Sequence, residues 1–334
     1  MFDSSCMRFL FFTRWFKLPV RNILLLLTCT ISFHSYSLDI RLGTAASGTF
    51  SNFTGKVICR TINKYASDLT CETTISQGIN LTDNLTNVRS GSLDLAIVDS
   101  QMLFDAVNKA GNFEFLDIDY SNLRIVLPMY NIPVTLLVRG DAGIRNLTQL
   151  AGKRINIGSP RSSERLLMNS ILAQQDWTRK SFSQVAELSV SSSQDTYALC
   201  NGLIQSTLHV GVHPDSKLTQ VFDICGVKIA SMNNSQIIKM VESSPSLTMV
   251  TLPSELYSNI DEDIQTFGQR ATLVTSDTLD DETLMQILKA LKSGADQLAR
   301  SHPALSGIMS AKPGTNTGKI MVHPASRKYF SMNN

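Results

Sequence analysis

The sequence predicts an α/β protein of two lobes, each a doubly wound parallel sheet, with a ligand cleft between them. Three observations carry this reading. Short apolar strands alternate with helix-length amphipathic segments. Five strand-to-helix turns are rich in Gly, Ser and Thr, and a late strand, Gly268–Thr275, returns the chain from a second α/β set to the first. Sheets of this kind bind ligands beyond the carboxyl ends of their strands. Five polar turns around one cleft suit a small polar or anionic ligand.

The chain of 334 residues exceeds one typical domain. Its first 37 residues form a leader: Arg8, Arg14, Lys17 and Arg21 precede the run Ile23–Leu27, and Ser35-Tyr36-Ser37 follows. This order matches a cleavable secretory signal with Leu38 as first mature residue, and an uncleaved anchor is the alternative. Met7 is a second possible start. Neither Phe9–Phe12 nor the leucine run reaches the ~20 residues of a spanning helix. The leader holds four Lys/Arg and one Asp, so 26 basic and 27 acidic residues remain, a net charge of −1. No nucleic-acid or anionic-membrane partner is implied. Cys6 and Cys29 leave with the leader. Cys59, Cys71, Cys200 and Cys225 remain, an even number that favours disulfides in an exported chain over zinc, for which paired C-x-x-C spacings are missing.

The elements follow in order. Leu38, Ile40 and Leu42 alternate as a strand, and Gly43-Thr44-Ala45-Ala46-Ser47-Gly48-Thr49 turns into a helix with Phe50, Phe53, Val57 and Tyr65 on one face. A helix start aims free N–H groups and its positive dipole end at whatever lies above the turn. A strand around Leu69–Ile75 leads through Ser76-Gln77-Gly78 to a helix with Ile79, Leu81, Leu85 and Val88 inward. Leu93–Val98 is a third strand, turning at Asp99-Ser100-Gln101 into a helix that ends by Gly111. Leu123–Leu127 and Val134–Val138 read as two strands broken by Pro128 and Pro133. Asp141–Leu150 is a turn and short helix. Arg154–Ile157 then repeats the first device, with Gly158-Ser159-Pro160-Arg161-Ser162-Ser163 opening a helix. Val185–Val190 leads through Ser191-Ser192-Ser193 to a helix reaching Cys200. Leu208–Val212, Val227–Ala230 and Met249–Leu252 complete the second set. Thr278 with Asp281 reads as a capping box before a helix carrying Leu284, Ile287, Leu288 and Leu291. The lobes are expected at residues 38–132 plus 268–334 and at 133–267.

Catalytic motifs fail on inspection. A P-loop at Gly55-Lys56 would need glycine at Phe50 and a hydroxyl at Val57. There is no G-x-S-x-G elbow and no nucleophile–base pair. Asp94, Asp99 and Asp105 read as caps or surface groups, His209 and His213 as core or cap histidines. No metal or cofactor is expected. Asn52-Phe53-Thr54 and Asn84-Leu85-Thr86 fit a glycosylation sequon.

The segments LGTAASGTF, SLDLAIVDSQMLFDAVNKAG, LVRGDAGIRNLTQLAGKRINIGSP, ALCNGLI with the later HP and DICG, QTFG, and terminal HPASRKYF occur in a familiar order. From about Arg41 to Phe330 the chain resembles the TAXI-type (TRAP-associated extracytoplasmic immunogenic) substrate-binding proteins of tripartite transporters. The resemblance implies a type II periplasmic-binding-protein fold and a receptor handing ligand to membrane permease subunits driven by an ion gradient. It implies acidic amino acids or other small carboxylates as ligands. The ligand-binding residues it suggests are Thr44, Ser47, Gly48 and Phe50 in the first turn, Gly78 and Asn80 in the second, and Ser100 in the third. Ser159 and Ser162 follow in the fourth, with Phe267 near the returning strand. The pairs Cys59–Cys71 and Cys200–Cys225 also resemble those of relatives. Ala45-Ala46 replaces glycines, Phe50 lacks the family's phenol, and Arg161 replaces a glycine where a guanidinium could pair with a carboxylate.

The expectation is a periplasmic, monomeric, non-enzymatic receptor for a glutamate-like solute. Service to an ABC importer or a sensor kinase is the rival binding role, and an exported enzyme using the same cleft is the rival from another class.

Overall fold

The computed structural model describes residues 37–334 except 77–81, 161, 190–192, 259, 314–319 and 333–334. Alternation sets the first strand, β1 (Leu38–Thr44), which buries Ile40 and Leu42 and exposes Asp39 and Arg41. Helix α1 (Phe50–Tyr65) packs on it through Val57, Ile58 and Ile62. The expected inward face is therefore rotated, because Phe53 and Tyr65 are among the exposed apolar residues. The cause is Gly55: a Cβ there would stand 2.4 Å from Thr44 Cγ2, so the glycine side of the helix lies closest to the strand.

The chain continues through β2 (Leu69–Ile75), α2 (Thr82–Arg89), β3 (Leu95–Asp99), α3 (Ser100–Asn108) and β4 (Leu123–Arg139). The second set comprises β5 (Arg154–Asn156), α4 (Ser163–Gln174), β6 (Gln184–Ala186), α5 (Gln194–Cys200), β7 (Ser206–Val210), α6 (Ser216–Cys225), β8 (Val227–Ala230), α7 (Ser235–Glu242) and β9 (Thr248–Leu252). Then come β10 (Ile264–Ser276), α8 (Asp281–Ser293), α9 (Ala295–Ser301), β11 (Met321–Val322) and α10 (Pro324–Met332). The strands form one sheet network ordered β2-β1-β3-β10-β4-β7-β5-β6, with β8 and β11 also on β4 and β9 on β10. The trio β2-β1-β3 and the trio β7-β5-β6 are each parallel. Between them β10 and β4 run antiparallel to each other and to the trio beside each. Helices cover both faces of each parallel set, as four separate apolar clusters attest. This is the doubly wound α/β architecture.

Two expectations need correction. The two strands broken by prolines are one 17-residue strand, β4. Proline lacks a ladder donor, and the β10–β4 register slips between Arg270 and Thr272, beside the Thr272–Pro128 pair, which is where a strand tolerates it. Pro133 sits opposite Gly268 in the same ladder. The cap of α8 is Asp280, whose carboxylate accepts from the Thr283 N–H at 2.9 Å, while the Thr278 hydroxyl bonds that of Ser276.

Cys59–Cys71 ties α1 to β2 and Cys200–Cys225 ties the ends of α5 and α6, with Cα separations of 4.8 and 5.1 Å. Among the described residues no helix is long and apolar enough to cross a membrane.

Candidate functional site

The strand registers determine where the carboxyl ends meet. Asp99, the last residue of β3, pairs with Ala271 of β10. Val210, the last residue of β7, pairs with Val134 of β4, which in turn pairs with Phe267 of β10. Both trios run antiparallel to the strand they join, so their carboxyl ends point toward each other along β10. Residues 267 and 271 lie four apart, about 13 Å at ~3.3 Å per residue. The strand-to-helix turns of both sets therefore open on the same short stretch of the two connecting strands.

On the first side the β1–α1 turn is held from beneath. Thr44 is fully buried, its hydroxyl accepting from Asn52 Nδ2 at 3.0 Å and its carbonyl from Asn84 Nδ2 at 3.1 Å. Both sequon asparagines are thus buried structural donors, and Thr44 is committed to the protein. Thr49 caps α1, accepting from the Asn52 N–H. Ser47 and Gly48 stand exposed at the crest, with Gly48 at φ +83°, a conformation that favours glycine. The Phe50 ring is half-buried, edge-on to Tyr130 of β4 at 4.8 Å and to His302 at 4.6 Å between centroids. Burial pushes the Tyr130 phenol up. Asp99 caps α3 through the Met102 N–H at 2.8 Å, and burial raises its carboxyl. Ser100, at the head of α3, donates to the Ser246 carbonyl at 2.6 Å.

On the second side Ser162 caps α4, accepting from the Arg165 N–H at 3.2 Å, and Ser159 is half-buried beside it. Below them runs a polar chain joining three strand ends. Asn156 Oδ1 accepts from the N–H groups of Gly158 and Leu188. Asn156 Nδ2 donates to Thr207 Oγ1, and Thr207 donates to Asp195 Oδ2 at 3.2 Å. Asp195 is buried, which raises its carboxyl. His209 Nε2 lies 3.6 Å from Asp215 Oδ2, and burial lowers that imidazole. His213 bonds Thr135 Oγ1 at 2.8 Å and the Tyr257 hydroxyl at 2.7 Å. Burial pushes His213 down to about 4, so the ring is neutral near pH 7. The Tyr257 hydroxyl also accepts from the Asp215 N–H at 2.7 Å.

Phe267 is wholly buried in the apolar cluster of Val134, Leu136 and Met168 and offers no surface to a ligand, contrary to expectation. Gly78, Asn80 and Arg161 lie outside the described residues. Of the expected contacts among the described residues, Ser47 and Gly48 are exposed, and Ser100, Ser159 and Ser162 are half-buried. The sequence does not single out Asn52, Asn84, Tyr130 and His302 as supports of the site; the first two, on α1 and α2, read only as sequon asparagines. Among the described residues no group of three or more His, Cys, Asp or Glu could hold a metal ion.

A model of the NMT1-like family matches residues 42–331. The chain belongs to the NMT1-like family. Solved structures agree on the architecture. A TctC solute-binding protein from Polaromonas is 13% identical, with a TM-score of 0.53 over 77% of this chain and 84% of its own. MatC from Rhodopseudomonas palustris with bound malate is 12% identical, with a TM-score of 0.50 over 88% of this chain and 97% of its own. The NMT1-like chain thus has the two-lobed fold of periplasmic solute-binding proteins.

Proposed function

We propose that this NMT1-like chain is an exported receptor that closes two lobes over one small carboxylate or amino acid and delivers it to a membrane permease. The observation that carries the reading is the facing of the two sets of carboxyl strand ends across residues 267–271 of β10. Helix starts with N–H groups aimed at one space favour an anion. The proposed lobes are residues 38–132 plus 268–334 and residues 133–267; Pro133 and Gly268 at their boundary are register partners. Closure stabilises the ligated state by contacts from both lobes, and the permease reads the closed form.

The finer reading is a TAXI-type receptor of an ion-gradient-driven tripartite transporter, monomeric, released to the periplasm by cleavage near Ser37. It needs no cofactor, nucleic acid or catalytic step. The ordered motifs from LGTAASGTF to HPASRKYF support it. Ser47, Gly48, Ser159 and Ser162 are the proposed first contacts, with Gly78, Asn80 and Arg161 completing the set.

A thermal-shift screen of glutamate, glutamine, other amino acids and dicarboxylates tests the reading. A solute at 100 times its Kd stabilises the fold by about 2.7 kcal/mol. Small-angle scattering with that solute should show compaction. A tight binder without compaction refutes the clamp, and no binder among these classes refutes the ligand class.

A further inference from the structure

The residues at the head of α3 bond not to open space but across the junction. Ser100 Oγ donates to the Ser246 carbonyl at 2.6 Å and accepts from the Arg270 N–H at 3.1 Å. The neighbouring Gln101 accepts from Ser246 Oγ at 2.5 Å through Oε1, while its Nε2 donates to Asp105 Oδ1 at 2.8 Å. The Asp105 carboxylate can only accept there, so it orients the Gln101 amide with oxygen toward Ser246. Ser246 has one hydroxyl proton, given to Gln101, so Ser244 donates to Ser246 Oγ at 2.9 Å. The Ser100, Ser244 and Ser246 hydroxyl protons are all used, and Ser246 is buried.

Three parts of the fold meet here: α3 of the first set, the loop between α7 and β9 of the second, and the strand β10 that connects them. The Arg270 N–H stands at the register slip, where the ladder with β4 is interrupted. Beside the junction lies a cavity of about 170 Å³, lined by Leu103 and Phe104 from one side and Leu247 and Thr248 from the other. Polar bonds rather than filled apolar packing therefore join the two sides at this point. A second crossing contact lies at His302, whose Nδ1 accepts from the Ala304 N–H, so that Nε2–H donates to the Pro214 carbonyl at 3.3 Å.

We infer that Ser100, Gln101 and Ser246 form a clasp that holds the two lobes together, so that α3 governs ligand affinity through closure and not through contact. The inference rests on the receptor reading in taking the lobes to move. Ser100 and Gln101 are then positioning residues: they set the balance between open and closed forms that a solute shifts. Loss of one neutral hydrogen bond changes such a balance about fivefold.

The test uses the full mature chain, disulfides intact, with spin labels at the exposed positions Asp117 and Lys180 and the inter-label distance read by pulsed resonance. Ser246→Ala and Gln101→Leu remove the same bond, so each should raise the open-to-closed ratio about fivefold and the double variant no further. Ser100→Ala, which removes the bond to the Ser246 carbonyl, should shift the ratio in the same direction. Near-UV circular dichroism certifies each fold; if Gln101→Leu does not fold, Ser246→Ala and Ser100→Ala carry the test. Folded variants with the wild-type distance distribution overturn the clasp. Failure of every solute in the thermal screen refutes the proposed ligand class and leaves the clasp standing, because the distances are measured without added solute.

Discussion

Gly268→Ala should be a damaging single-methyl change where β4 and β10 approach each other. A Cβ at this position would stand 2.4 Å from the Ile132 carbonyl oxygen, 2.7 Å from Pro133 Cα and 2.9 Å from the Ile132 carbonyl carbon. All three atoms are backbone, so no side chain can swing away. Relief requires β4 and β10 to part by roughly 1 Å, against strands normally ~4.8 Å apart. Overpacking costs about 1–3 kcal/mol, and a rigid backbone neighbour puts this case near ~3 kcal/mol. At about 2 °C per kcal/mol for a chain of this size, the thermal midpoint should fall by about 6 °C. Gly307→Ala is the matched control. It has φ +75° and nothing within 4 Å, so its cost is conformational strain alone, about 1–2 kcal/mol. Thermal melts of the two variants rank the effects. Equal midpoints, or a Gly268→Ala midpoint within 1 °C of wild type, would refute the close approach of the two strands.

Further changes probe other layers of the fold. The bridges close loops with sequence separations of 12 and 25 residues, so removing Cys59–Cys71 should cost about 3 kcal/mol and removing Cys200–Cys225 about 3.5 kcal/mol in the chain-entropy picture. Urea melts of the two double-alanine variants decide, and a larger loss for the shorter loop contradicts that picture. Thr49→Ala removes the cap of α1 and should cost about 1 kcal/mol, read as faster amide exchange in the first turn of that helix. His213 is neutral in the fold down to about 4 but takes a proton near 6.5 when unfolded. Between those values the unfolded chain binds the extra proton, so stability is full above pH 6.5 and falls by about 1.4 kcal/mol per unit toward pH 4. Ring chemical shifts that titrate at 6.5 in the folded chain would sink this assignment.

The architecture was legible because its signals are local. Strand alternation at Leu38–Leu42 and apolar runs such as Leu95–Val98 need only their neighbours to be read, and a turn such as Gly43–Thr49 carries its own chemistry. Hydroxyl roles were less legible. The sequence places Thr44, Ser100 and Ser162 alike in polar turns, yet one bonds a helix asparagine, one a loop 146 residues away, and one its own helix N–H. Composition reports that a hydroxyl is present. Its partner is chosen by topology, which a strand-to-helix turn does not encode.

The crossing of β4 and β10 shows the same limit from the opposite direction. Pro128 and Pro133 argue for broken strands as long as each residue is judged by its own donor. In the fold the missing donors coincide with places where the ladder does not need them: the slip beside Thr272, and the contact at Gly268 where a side chain is absent. The two prolines and the glycine are a single solution distributed over 140 residues. They let β4 and β10 cross closely, at the Pro133–Gly268 pair proposed as the boundary between lobes. The slip leaves the Arg270 N–H to Ser100 and so connects the irregularity of the strand with the contact across the junction. What looks in sequence like two strand breaks is therefore one continuous strand whose irregularities match those of its partner.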